Sequence, residues 1–297
     1  MSPSEEYPVR FHPYSLKAML IPLLKQRKVA QAVKWSVYSL IMVNFGIYAI
    51  DDWQVYNAAL ASDATLDKVL ETFATTIDMA AWVVLVVLFE LETYILPDDA
   101  FKGWTIKIIT VIRAICYVMI IYAAYGYIAN TLDNYKITLI PEVTNLCDIA
   151  KDHRSLQINI IDFEDITPDN CADLSGDTEF FKIDQNISLI GKGDLPHVQN
   201  MGWLDIINAF VWIVVVLLIE FEVALQNADR FGSKSLAMVR RIKTPFYGVL
   251  FMNAGIWAVT GYPVYAWDAL LWIVGFWAIE LNLAEWEKDR TIELSTA

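Results

Sequence analysis

The stretch Trp82–Glu92, WVVLVVLFELE, decides how this chain is read. Nine of its residues suit lipid, yet two carboxylates close it and no basic residue stands beside them. The same pattern returns twice. Residues 78–96, 208–226 and 268–286 read DMAAWVVLVVLFELETYIL, NAFVWIVVVLLIEFEVALQ and DALLWIVGFWAIELNLAEW. Aligned without a gap, Trp82, Trp212 and Trp272 coincide, and so do Glu90, Glu220 and Glu280. Glu92 and Glu222 match, with Asn282 in the third copy. Asp78, Asn208 and Asp268 open the three segments. Shared Val, Leu and Ile would follow from membrane composition alone; a recurrent Trp and Glu at fixed spacing would not.

The segments that precede these three also correspond. Residues 34–50 (KWSVYSLIMVNFGIYAI) and 243–259 (KTPFYGVLFMNAGIWAV) share Lys34/Lys243, Tyr38/Tyr247, Asn44/Asn253, Gly46/Gly255 and Tyr48/Trp257. Arg113, Tyr117, Ala123 and Tyr127 occupy the matching places in the middle copy. The expected fold is therefore all-α and membrane-integral. Six spanning helices, at about 34–51, 78–97, 105–130, 203–226, 244–261 and 266–284, form three parallel hairpins about a pseudo-threefold axis. Each hairpin keeps one orientation because it contributes an even number of spans. The boundaries expected are a basic amphipathic segment over 1–33, hairpin repeats over 34–104, 105–233 and 234–297, and a small acidic subdomain over 131–202. Residues 1–33 read either as a helix lying on the cytoplasmic surface or as an extension of the first span.

Composition agrees with a membrane protein. The 297 residues are 56% hydrophobic, with mean hydropathy +0.40. Several apolar runs approach the roughly 20 residues a helix needs to cross lipid. A net charge of −13 excludes nucleic acid as a partner, since that needs a basic footprint. Bases gather before each hairpin (Lys25, Arg27, Lys28 and Lys34; Lys102, Lys107 and Arg113; Arg240, Arg241 and Lys243). The loops within hairpins are acidic: residues 51–77 hold five acids and one Lys, and 131–202 hold 13 acids and five bases. The positive-inside rule then places both termini in the cytoplasm, in a plasma or inner membrane. Loops 52–77 and 131–202 lie outside it.

The long outer loop shows strand-like alternation in LQINIIDF and FFKIDQNISLIG, with turns at TPDN and GKGD. Cys147 and Cys171 fall in it, and an extracytoplasmic position lets them form a disulfide. Cys116 lies in an apolar run and reads as a small buried hydrophobe. The three His all lie outside the apolar runs, which argues against haem ligation in the bundle. The outer acids from Asp162 to Asp177 do not match an EF-hand loop and read as a solvated surface. No P-loop, dinucleotide fingerprint, zinc motif or catalytic triad is present, so neither an enzyme nor a cofactor is expected.

Depth along the helices suggests what the carboxylates face. Glu90 lies roughly 18 Å inward from Asp78 along its helix axis. Tyr38, Tyr117 and Tyr247 fall level with Glu90, Glu220 and Glu280, and a phenol can satisfy a buried carboxylate. Lys34, Arg113 and Lys243 lie one turn further in, within reach of the second carboxylate. By the same count Trp82 packs near Gly46, and Trp272 near Gly255. Two functional readings follow. In one, the glutamates converge beneath the Trp layer, and Asp78, Asn208 and Asp268 form the outer mouth of a channel or transporter for a cation. In the other, each Glu is a structural clasp in a non-catalytic scaffold or sensor that binds lipid, partner membrane proteins or further copies of itself.

Overall fold

A computed structural model describes residues 14–60, 64–91, 103–152, 154–183, 188–227 and 233–276. Among them, eight helices carry the chain: α1 Tyr14–Ala59, α2 Leu66–Thr72, α3 Ala74–Glu90, α4 Trp104–Asp133, α5 Cys171–Leu174, α6 Leu195–Asn227, α7 Ser233–Val259 and α8 Pro263–Phe276. Three segments are long and apolar enough to cross a bilayer: Gln31–Ala59, Trp104–Asp133 and Leu195–Glu222. A fourth arises if α2 and α3, bent by 65° at Phe73, count as one span. α7 starts with a basic stretch containing Lys234, Arg240, Arg241 and Lys243, which shortens its apolar part. α8 is a shorter apolar helix over its described residues.

Only 28, 22 and 39% of the apolar windows of the three spans are buried within the protein. Trp35, Val43, Val118, Ile121, Leu217 and Phe251 are all more than half exposed. Water would not tolerate an apolar surface on this scale, whereas lipid requires one.

The chain divides into two compact units. One joins Met1–Leu40 to Leu271–Ala297. In it α1 and α8 approach closely, Val37 Cγ1 lying 3.5 Å from where a Cβ on Gly275 would stand. The other, Ile41–Leu270, holds the remaining helices and a five-stranded sheet. There α3 packs on α4, α4 on α6, and α6 on α7. Two glycines set the spacing. A Cβ on Gly126 would meet Ala74 Cβ at 2.8 Å, and one on Gly202 would meet Thr131 Oγ1 at 2.5 Å. α4 is thus drawn against both α3 and α6 through small residues, as helices in membranes commonly are.

The sheet corrects the all-α expectation. Strands β1 Ile137–Leu139, β2 Ser155–Gln157, β3 Phe163–Asp165, β4 Phe180–Ile183 and β5 Leu189–Gly191 run in the order β1-β4-β5-β2-β3. The pairs are antiparallel except β2 with β5. The two strand-like stretches of the long loop supply β2, β4 and β5. Val143, Leu146, Leu156, Phe180 and Leu189 bury one face. The Cys147–Cys171 disulfide ties the turn after β1 to α5 over the same core. The subdomain is anchored to the helices by Ser155 Oγ, which donates to Ala58 O at 2.6 Å.

The 52–77 loop is also corrected, being largely helical. α1 continues to Ala59, and α2 follows from Leu66. An acidic count speaks for sidedness and says nothing of conformation, because Asp67, Lys68 and Glu71 suit a short helix as well as a loop. Residues 1–33 are helical from Tyr14 onward and continuous with the first span, which is the extension reading.

Candidate functional site

The inward positions of the helices follow from their polar and aromatic residues. Asn44 and Tyr48 on α1, and Asn253 and Trp257 on α7, are each at most 4% exposed. Gly46 and Gly255 stand two residues from these asparagines, about 200° round the helix, and so face outward. Both are exposed, and nothing lies within 4 Å of where their Cβ would be. The Trp-on-Gly packing expected at these two positions is therefore wrong: counting residues gives a height along a helix and leaves its azimuth open.

Below the sheet lies a cavity of about 140 Å³. α1 contributes Asp52, α3 Thr75, α4 Tyr127 and Thr131, α6 Asp205 and α8 Tyr265, while β2 supplies Gln157. The side chains on one flank are paired. Asp52 Oδ2 accepts from Thr76 N at 2.9 Å and Thr76 Oγ1 at 2.7 Å, closing the open N–H of the first turn of α3 from another helix. Lys68 Nζ binds Glu71 Oε2 at 3.0 Å and also Asp133. Asn130 Nδ2 donates to Glu71 O at 3.0 Å.

The other flank is different. Asp205 is half-buried, with Tyr127, Tyr262 and Tyr265 within electrostatic reach. Among the described residues nothing hydrogen-bonds or ion-pairs with its carboxylate. Gln157 is 5% exposed; its Nε2 donates to Asn159 O at 3.0 Å, but its Oε1 has no partner. Near Asp205, burial pushes the Tyr262 phenol up to about 12. Tyr262 therefore stays neutral beside His197, whose Nε2 lies 3.1 Å from Tyr262 Oη.

The three segment-opening residues lie just below. Asp78 Oδ1 accepts from Trp82 Nε1 at 3.0 Å. Asp268 Oδ1 accepts from Asn44 Nδ2 at 2.8 Å. Asn208 Oδ1 is buried and unpaired, as are Asn253 Nδ2 and Trp257 Nε1 on the neighbouring α7. Two of the three tryptophans meet, Trp82 and Trp212, with ring centroids 6.4 Å apart. Trp272, in the other unit, lies 6.0 Å from Phe276.

On the far side of the bundle from the sheet, the carboxylates are occupied. Tyr117 Oη donates to Glu220 Oε1 at 2.7 Å, joining α4 and α6, and Glu220 itself is exposed. Glu222, 8% exposed, takes Lys243 Nζ at 2.7 Å and Arg240 Nε at 2.7 Å. Those bases come from α7, and Arg113 of α4 is not one of them. Glu90 is buried, while Tyr38 and Tyr247 are half-buried. Glu92, Glu280 and Asn282 lie outside the described residues.

Asp52, Asp205, Gln157 and Tyr265 are absent from the sequence expectation. One signal could have found part of this set. Three residues before Asp78, Asn208 and Asp268 stand Thr75, Asp205 and Tyr265, and all three line the cavity. Among the described residues, no three His, Cys, Asp or Glu come together to hold a metal ion. No family model, curated protein or solved structure matches the chain.

Proposed function

We propose that this is an integral membrane protein of six helices in three parallel hairpins, acting as a channel or transporter for a small cation. The cation enters from the sheet side. One observation carries the reading: equivalent positions of three hairpins, Thr75, Asp205 and Tyr265, line one polar cavity together with Asp52. Pairing supports the threefold arrangement. α3 packs on α4, joining the first hairpin to the second, and Asn44 Nδ2 donates to Asp268 Oδ1 at 2.8 Å, so the first and third hairpins adjoin as in a closed ring. Buried ionisable groups at membrane depth face cavities and pathways more often than lipid. The sheet, with its disulfide, is extracytoplasmic, and the basic far side is cytoplasmic.

The glutamates receive a different role from the aspartates. Glu220 with Tyr117, and Glu222 with Lys243 and Arg240, act as clasps that fix helix register. The same observation favours the second reading, a scaffold or sensor whose sheet subdomain binds a partner.

Flux separates the two. Proteoliposomes holding the wild-type chain should release a monovalent cation at least tenfold faster than those holding Asp52→Asn/Asp205→Asn. Equal leak from both would remove the transport reading and leave the scaffold. Glu220→Gln should retain flux in any liposome that contains folded protein.

A further inference from the structure

We infer that Asp205 and Gln157 together form a binding site for a weakly hydrated monovalent cation, of the alkali or ammonium class. The inference rests on the cation-pathway reading and gives it a location and a ligand. Both groups line the same cavity, Asp205 from α6 and Gln157 from β2. Both present acceptors that no described residue satisfies: the Asp205 carboxylate, and the Gln157 Oε1 of a side chain 5% exposed. Asp205 is half-buried, and a buried acceptor such as Gln157 Oε1 is nearly always paired, so this orphan, on a lining that also holds an unpartnered carboxylate, points to a missing donor or positive charge. An anion or an acceptor-rich solute would meet the wrong chemistry on that wall.

Charge and size narrow the class. The cavity wall carries Asp52, Glu71, Asp133 and Asp205 against the single ammonium of Lys68, and Lys68 is already held by Glu71 and Asp133. Asp52 is committed to the N-terminus of α3. One carboxylate and one amide oxygen then remain to coordinate. Calcium wants six to eight oxygens, usually from several carboxylates. The described residues offer no cluster of three acidic, His or Cys ligands. A monovalent ion needs less charge, and water can complete its shell, because about 140 Å³ has room for several waters. The Tyr127 and Tyr265 rings on the wall favour a cation that sheds water readily. Because Gln157 belongs to the sheet, the subdomain supplies part of the site and is more than a cover over it.

The full-length protein in detergent should bind radioactive rubidium saturably, with choline chloride holding ionic strength constant. Potassium and ammonium should compete, and their relative potency identifies the preferred class; choline should not compete. Asp205→Asn and Gln157→Leu should each weaken binding by at least roughly tenfold. Gln157→Glu keeps the acceptor and adds charge, so it should bind as tightly as wild type or more tightly, which a merely damaged sheet could not do. The site is overturned by unsaturable rubidium uptake, by tight binding that survives both Asp205→Asn and Gln157→Leu, or by millimolar calcium displacing rubidium more effectively than potassium does. Flux is the separate readout. Specific binding with no flux in proteoliposomes keeps the site and overturns the transport reading; flux with rubidium binding indifferent to both substitutions does the reverse.

Discussion

Two polar regions of the Ile41–Leu270 unit treat their carboxylates in opposite ways. On the side away from the sheet, Glu220 has a phenol at 2.7 Å, and Glu222 has an ammonium and a guanidinium at the same distance. Under the sheet, Asp205 and Gln157 Oε1 share a cavity wall and have no described protein partner. An unmet buried polar group costs about 1–3 kcal/mol. A fold that needed only register would pair both regions, as it does on the far side. On the proposed reading, paired charge marks the architecture and unpaired charge marks the binding place. Substitutions on the two sides should differ in sign as well as in size.

The largest effect is expected at Glu222. Lys243 is 3% exposed, so Glu222→Gln removes the Glu222 carboxylate from beside a buried ammonium. The cost should be about 3–5 kcal/mol, the range for breaking one half of a buried ion pair. Denaturation of the detergent-solubilised protein measures it. Glu222→Gln/Lys243→Met should recover most of the loss, because the buried charge is gone as well. A Glu222→Gln variant as stable as wild type would end the clasp account of this side.

A smaller loss is expected at the neighbouring bond. Tyr117→Phe deletes one hydrogen bond to an exposed Glu220, worth about 1 kcal/mol or less. The informative quantity is the coupling. In a cycle of Tyr117→Phe, Glu220→Gln and the double variant, losses should fall short of additive, since either substitution alone weakens the shared bond. Strict additivity would mean that the two side chains do not act together.

How much of this the sequence displays depends on what kind of information each feature needs. The apolar runs and the recurring Trp–Glu spacing mark the helices, and depth counting sets Tyr117 level with Glu220. Height is one-dimensional and survives in sequence. Azimuth does not, which is why Gly46 and Gly255 are exposed, with nothing within 4 Å of where a Cβ would stand. Nor does the choice between neighbours: Glu222 stands level with bases on two adjacent helices, and only packing selects Lys243. The Thr75, Asp205 and Tyr265 column stays hidden because its three residues differ, so no identity flags it. Gln157 is the least legible residue, since a five-stranded sheet must fold before β2 can reach the helices. The alternating stretches of the long loop do foretell β2, β4 and β5, because a period of two is local.

The smallest change in stability, and the one of opposite sign, is expected at Asp205. A half-buried carboxylate with no described partner gives up part of its hydration, and Asp205→Asn exchanges it for a neutral amide of nearly the same shape. In choline medium the variant should match wild type or exceed it by up to about 1 kcal/mol. In potassium the order should reverse, because only the wild type gains stability from an ion that binds the folded state. A crossing of the two stability curves with potassium concentration cannot come from a clasp, whose loss lowers stability in every salt. If Asp205→Asn destabilises equally in choline and in potassium, the chamber is a second structural clasp with a partner yet to be identified. The contrast between the two sides of the bundle would then disappear.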